Sequence, residues 1–337
     1  MRLRRPLLAL GAPLLVLICG VYLLNASWLA PVPEGGPKLL AHRGVHQGFD
    51  LAGVTNDTCT ATRIREPIAP EIENTLASMR AAFALGADVV ELDVHPTTDG
   101  QFAVFHDWTL DCRTEGHGET RASAMAYLKT LDVGFGYTAD GGKTFPLRGK
   151  GIGLMPSLAE VMNAFPTGHF LVNFKSNEAR EGDMLASMLA ANPSWRPAVF
   201  GVYGGGPPTE AALAQIDGLR GYTLASIRNC LLPYIGLGWS GFVPTACRQA
   251  IVPVPDNVAP WLWGWPNRFL DRMAGAGSTV LLLGPYASGD AGSSGIDTAE
   301  AAAAVPPHFN GYVWTNEIGL VAPLLKSRGV APAVETR

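Results

Sequence analysis

Charge is scarce in this chain. Only 16% of its 337 residues are Asp, Glu, Lys or Arg, while 47% are hydrophobic. A large core is therefore available, and the length suits one large domain or two modest ones. The net charge is −4, and with Arg2, Arg4 and Arg5 set aside 22 basic residues face 29 acidic ones. No basic stripe with interleaved aromatics is present, which argues against a nucleic-acid partner. A Gly-x-Ser-x-Gly elbow is missing, so no serine nucleophile is signalled. Gly204-Gly205-Gly206 lacks a Gly-x-Gly-x-x-Gly context and gives no nucleotide-site signal. There is no Cys-x-x-Cys pair to suggest a thiolate metal site. No sequence repeat points to a solenoid.

One absence is local. From Pro6 to Leu29 no residue is charged, and three arginines precede that run. The segment reads as a secretory signal or as a membrane anchor with its basic end in the cytoplasm. Leu24-Asn25-Ala26 places a large residue where a cleavage site wants a small one, which favours an uncleaved anchor. The expected organisation is a signal anchor or peptide over 1–30, a linker over 31–37 and a body over 38–330. That body lies outside the cytoplasm, periplasmic or extracellular, and is secreted if the first segment is cleaved. Cys19 falls within the apolar run, leaving Cys59, Cys112, Cys230 and Cys247 in the body. Four cysteines permit three pairings; the sequence-local choice is Cys59–Cys112 with Cys230–Cys247, which an oxidising compartment allows.

What is present is organised around Val89-Val90-Glu91-Leu92-Asp93-Val94-His95. A strand alternates its side chains, so Glu91 and Asp93 share a face. Two adjacent carboxylates repel, burying them uncompensated is costly, and hard oxygen donors suit Ca²⁺ or Mg²⁺. A second apolar strand follows a Thr98-Asp99-Gly100 turn and ends at His106-Asp107. Upstream, the short apolar run Lys38–Ala41 ends in His42-Arg43-Gly44, and an arginine there suits a planar oxyanion. The irregular segment 45–70 is a long loop, and a helix opens at Glu73-Asn74-Thr75 and closes at Gly86.

His42-Arg43-Gly44, Glu73-Asn74-Thr75, Glu91-Leu92-Asp93 and His106-Asp107, in this order, resemble the signature of the glycerophosphodiester phosphodiesterase family. The Asp107–Thr114 continuation and Pro156–Val161 resemble it as well. The similarity covers about 38–175 and returns faintly at Trp314-Thr315-Asn316. Residues 200–280 carry no motif of the family. Strands expected at 38–42, 88–94, 170–174, 198–203, 220–226, 250–254, 279–283 and 311–315 alternate with helices. The helices are expected at 74–85, 156–165, 179–191, 209–216, 261–275, 298–304 and 317–327. Alternation with eight strand candidates suggests a (β/α)₈ TIM barrel, which the resemblance also implies, with the hairpin to His106 inserted in the second repeat.

The resemblance implies a metal-dependent phosphoric diester hydrolase acting on glycerophosphodiesters. His42 and His106 are the expected acid–base pair, with His42 as base, and Arg43, Lys175 and Trp314 the expected substrate and phosphate contacts. One divalent cation, Ca²⁺ or Mg²⁺, is expected on Glu91, Asp93, Glu73 and Asn173. Asn173 stands where the family usually has a Glu, so the cation site has one negative charge fewer. Two alternatives stay open: a lysophospholipase D-like diesterase on membrane lipids, reached through the N-terminal helix, and a silent phosphodiester-binding protein. Trp239, Trp261, Trp263 and Trp265 read either as an aromatic wall at the barrel mouth or as packing with some membrane-facing aromatics. His95 is expected on the strand face opposite Asp93, in a structural role, and His117 is a candidate substrate contact. His46, His169 and His308 carry no expected role, and Asp290–Ser294 reads as a surface turn.

Overall fold

Alternation along the apolar runs builds the sheet. In this computed structural model, which describes residues 5–50, 53–55, 58–287 and 294–327, β1 is Lys38–Ala41 and β2 is Val89–Pro96. Next come β3 (Phe102–Val104), β4 (Phe170–Phe174) and β5 (Val199–Gly204). Then follow β6 (Ile251–Pro255), β7 (Thr279–Leu283) and β8 (Tyr312–Thr315). The order β5-β4-β2-β1-β8-β7-β6 is parallel throughout, and β3 folds back antiparallel on β2. Leu40, Val89, Leu171, Ile251, Leu281 and Trp314 fill the inner side of the curved sheet. Leu39, Val90, Leu92, Val94 and Val172 pack outward under the helices. The result is a TIM-barrel-like α/β fold with seven of the eight sequence-predicted strands in place.

The helices are α1 (Arg5–Asn25), α2 (Leu76–Ala84), α3 (Met125–Leu128), α4 (Leu158–Ala164) and α5 (Ala179–Ala191). They continue with α6 (Gly206–Gln215), α7 (Leu224–Leu237), α8 (Asn267–Gly275), α9 (Ala299–Ala304) and α10 (Ile318–Lys326). Several start where a hydroxyl caps the first turn: Thr75 accepts from Ser78 N, Ser157 from Glu160 N and Thr223 from Ser226 N.

The last of these explains a correction. Residues 220–226, expected as a strand, touch β5 through a single bridge between Val202 and Gly221, and α7 begins at Leu224. The reciprocal Thr223–Ser226 cap ends the extended run that Tyr222-Thr223-Leu224 suggests. Residues 97–155, between β2 and β4, carry β3 and α3 and centre a small core of their own around Phe105, Leu110, Leu128, Leu131 and Tyr137. Both expected disulfides form: Cys59–Cys112 ties the loop after β1 to this insertion, and Cys230–Cys247 ties α7 to the turn before β6.

The N-terminal run is a helix, but among the described residues no helix is long and apolar enough to cross a membrane. The expected transmembrane anchor thus gains no support. Leu14 to Ile18 and Tyr22 are exposed, and the end of α1 rests on the barrel. There Arg272 Nη1 donates to Asn25 Oδ1 at 2.9 Å, and Asn25 Nδ2 donates to Trp239 O at 2.7 Å. Arg2, Arg4 and the turn expected around 290 lie outside the described residues, apart from Ser294.

Candidate active site

The C-terminal ends of the strands carry the chemistry-bearing side chains. β1 delivers His42, whose backbone N–H donates to Thr315 O at 3.0 Å, and the chain then turns sharply. Arg43 sits at φ +56° and Gly44 at φ +78°, the left-handed region that side chains other than glycine rarely adopt. A side chain at Gly44 would collide with Ser78, so the turn holds against the first turn of α2. Asn74, also left-handed at φ +59°, donates Nδ2–H to Asp93 Oδ2 at 2.9 Å and accepts from Asp93 N at 3.2 Å.

β2 presents Glu91 and Asp93 inward, both fully buried. Asp93 also receives Asn173 Nδ2–H at 2.8 Å and has Lys175 Nζ 3.5 Å from Oδ1 and Arg43 Nε 3.4 Å from Oδ2. Burial by itself would raise its pKa; Lys175, His106, Arg43 and His42 outweigh burial and hold Asp93 well below the usual carboxylate range. Glu91 has weaker company: Arg43 N at 3.1 Å and the Tyr203 hydroxyl at 2.8 Å. Burial, then the charge of Asp93, push Glu91 up to about 8.

Glu73 stands apart from this pair. Arg43 Nη1 binds it at 3.0 Å and Arg113 Nη2 at 3.2 Å, while Arg113 also pairs with Asp107. His106 completes the chain, with Nδ1 2.7 Å from Asp107 Oδ1. Both His42 and His106 are almost wholly buried, and burial, followed by nearby Arg43, pulls each well below the usual histidine pKa. Lys175 remains 16% exposed, at the mouth of the site.

The structure therefore gathers His42, Arg43, Glu73, Glu91, Asp93, His106, Asn173 and Lys175. Trp314 is 1% exposed and packs beneath His42, ring centres 4.8 Å apart. His95 differs from its expected place. Residues 91, 93 and 95 share strand parity, and His95 lies buried beside Trp108, with burial, then Lys175, lowering its pKa to about 4. His117 is exposed and bonded to Asp111 at 2.8 Å, away from the cluster. Trp265 packs against Phe269 and Phe309, whereas Trp261 is 73% exposed, so the four tryptophans do not act as one wall. A cavity of about 390 Å³ lies to the side, lined by His46, Arg65, Ile68, Asn316 and Glu317 among others; none of the expected site residues lines it.

Sequence reading assigned no role to Asn74, Arg113, Tyr203, Asp297 or Asn316. Arg113 left a signal, a cation inside a motif next to an apolar hairpin; Tyr203 left none.

Residues 42–194 match the profile of the "Glycerophosphoryl diester phosphodiesterase family". That span is just under half of the chain. A glycerophosphodiester phosphodiesterase from Caldanaerobacter subterraneus is 39% identical over 103 residues, 31% of this chain and 39% of that protein. The human protein named lysophospholipase D GDPD1 is 33% identical over 110 residues, 32% of this chain and 33% of that protein. The chain thus spans well under half the length of these relatives. An Oleispira antarctica phosphodiesterase, solved in complex with the product sn-glycerol-3-phosphate, superposes with TM-score 0.53 at 18% identity. It is covered to 96% and covers 86% of this chain, which establishes the shared fold.

The glycerophosphodiester phosphodiesterase family implies a divalent cation. Among the described residues no group of three or more His, Cys, Asp and Glu side chains is placed to hold a metal. The donors present are Glu91, Asp93 and the amide oxygen of Asn173, a hard-oxygen set of the kind Ca²⁺ and Mg²⁺ take. Asn173 turns its nitrogen, not its oxygen, toward Asp93. Glu73 is engaged by two guanidiniums. With Glu73 engaged, Glu91, Asp93 and Asn173 remain as oxygen donors, one fewer than the four expected.

Proposed function

We propose that this chain hydrolyses glycerophosphodiesters to glycerol 3-phosphate and an alcohol. One observation carries the reading: the cations Arg43 and Lys175 stand 3.4 and 3.5 Å from the buried carboxylate of Asp93, His42 Nε2 lies 3.1 Å from that same arginine, and a second buried imidazole, His106, lies near both cations. A mere anion-binding pocket needs the cations but not two buried imidazoles.

Arg43 and Lys175 hold the phosphodiester through charge-assisted hydrogen bonds. His42 takes the proton of the attacking hydroxyl, from water or from the diester's own glycerol. As the new P–O bond forms and the old one breaks, His106 gives a proton to the departing alkoxide. His106 is neutral in the resting site because burial, then Arg43 and Lys175, depress it. The bound diester anion offsets those two cations, so His106 gains its proton as substrate arrives. Asp107 orients the ring through Nδ1, and Arg113 orients Asp107. Glu73 serves as the anchor of Arg43 and Arg113. Glu91, Asp93 and Asn173 are the residues that would hold a divalent cation, which would supply further positive charge to the phosphodiester.

A lysophospholipid substrate is the second reading, favoured by the exposed apolar side chains of α1 and by the human relative's name. Export of the body is supported by the two disulfides.

The test is release of glycerol 3-phosphate from glycerophosphocholine by the full chain, with Ca²⁺, Mg²⁺ or chelator. Expected is cation-dependent release that drops about 10²–10⁴-fold in His42→Ala and in His106→Ala. Choline release from lysophosphatidylcholine vesicles alone selects the second reading; silence on both substrates overturns the proposal.

A further inference from the structure

His42 is surrounded by groups that leave its ring no choice of tautomer. Its Nδ1 lies 2.6 Å from Asn316 Oδ1. The identity of that atom as oxygen follows from the other end of the amide, because Asn316 Nδ2 is 2.7 Å from Asp297 Oδ2. A carboxylate only accepts, so the amide nitrogen must face Asp297 and the amide oxygen must face His42. An amide oxygen also only accepts, so His42 Nδ1 must carry the hydrogen.

Asp297 is itself held in place. Its Oδ1 accepts from Asn316 N at 2.7 Å and from the Thr315 hydroxyl at 3.1 Å. Thr315 in turn accepts from Glu317 N at 2.9 Å. The loop that carries Asp297 is pinned to β8 by Ile296 N, which donates to Trp314 O at 2.9 Å. On the far side of the ring, Arg43 Nε–H, a donor without any lone pair, points at His42 Nε2 from 3.1 Å. That longer contact favours the same lone pair on Nε2 and agrees with the 2.6 Å bond at Nδ1, which is the stronger constraint.

We propose that Asp297 and Asn316 are positioning residues that hold His42 as the Nδ1–H tautomer, so that Nε2 is the base of the site. The inference rests on the reading of His42 as general base and deepens it. Asp297 acts at one remove, through the orientation of an amide. The arrangement separates two jobs that a direct Asp–His pair would merge. The carboxylate fixes geometry, while the neutral amide next to the ring does not add a charge that would hold a proton on it.

The isosteric change Asp297→Asn gives the discriminating prediction. An asparagine at 297 offers its own N–H to residue 316, which lets the Asn316 amide invert and present nitrogen to His42. His42 Nδ1 then becomes the acceptor and Nε2 the protonated, non-basic atom. The measurement is the ¹⁵N NMR shifts of the His42 ring in the full chain, assigned by their loss in His42→Ala, with turnover of glycerophosphocholine in parallel. Expected are an unprotonated Nε2 in the wild type and transfer of the hydrogen to Nε2 in Asp297→Asn. Alongside it, kcat should fall on the order of 10²-fold or more while KM stays within about twofold. Asn316→Ala, which removes the acceptor without touching the carboxylate, should leave the His42 ring as a mixture of both tautomers. A wild-type His42 protonated at Nε2, or a ring unchanged in both variants, overturns the proposal. A ring that responds as expected in a wild type that cleaves no diester upholds the positioning role and removes the proposed activity instead.

Discussion

Glu91 and Asp93 point the same way from one strand, yet they are not equivalent. Asp93 collects Asn74, Asn173, Lys175 and Arg43, and keeps its charge. Glu91, fully buried with a tyrosine hydroxyl and one backbone N–H, is left holding the proton. Its pKa rises from an ordinary 4.5 to about 8 in the folded chain. Below pH 4.5 folded and unfolded chains both carry this proton; between 4.5 and 8 only the folded chain does. The folded state then binds more protons than the unfolded one, so stability is greatest at the acid end of that window and falls as pH rises through it. With chelator present, the melting temperature should decline from pH 5 to pH 8, and Glu91→Gln should flatten that decline. A slope identical in wild type and variant would place the proton elsewhere. Arg113 poses the opposite case, since it compensates both Glu73 and Asp107 from a fully buried position. Arg113→Met should cost about 3–5 kcal/mol in denaturant unfolding, because it strands the buried carboxylate of Asp107 and takes one of two guanidiniums from Glu73.

At the scale of elements, motif and scaffold are stapled together. Cys59–Cys112 joins residues 53 positions apart and brings the long loop after β1 against the segment that carries Arg113. Closing so long a loop removes chain entropy worth roughly 4 kcal/mol in the unfolded state, against about 3 kcal/mol for the shorter Cys230–Cys247 loop. Cys59→Ser with Cys112→Ser should therefore lower the unfolding midpoint more than the corresponding pair at 230 and 247. The element that sequence reading mistook, 220–226, shows the same priority of local chemistry over pattern. Its aromatic and β-branched residues suggested a strand. Once Thr223 caps Ser226 N, the backbone is committed to α7, Pro233 notwithstanding. Thr223→Ala should cost about 1 kcal/mol, measurable as a reduced unfolding midpoint.

For the molecule as a whole, the charge at position 173 tests the proposed cation site. Replacing Asn173 by Glu restores one negative charge next to Asp93 and Glu91. Without metal, Asn173→Glu should be less stable than the wild type, because a third carboxylate is set beside Glu91 and Asp93 and repels both. With millimolar Ca²⁺ or Mg²⁺ it should show the larger rise in melting temperature of the two. Equal shifts in both proteins would mean that residue 173 does not face the cation.

Much of this was legible in the chain itself. Apolar runs at 38–41, 89–96, 170–174 and 279–283 marked the strands, and the spacing of Glu91 and Asp93 put both carboxylates on one face. The turns after them placed His42, Glu91, Asp93, His106 and Lys175 at strand ends, where a barrel gathers its chemistry. Among the three pairings open to four cysteines, the sequence-local choice matches both disulfides. Local sequence could not say which cation would serve which carboxylate. Arg43 meets Glu73 across 30 positions, Arg113 meets it across 40, and Asn316 reaches His42 across 274. Those pairings exist only because the parallel sheet brings β1 beside β8 and β2 beside β4, and burial then favours pairing among the charges gathered there. Residue types and their faces are set by the chain locally; partners are set by closure of the fold.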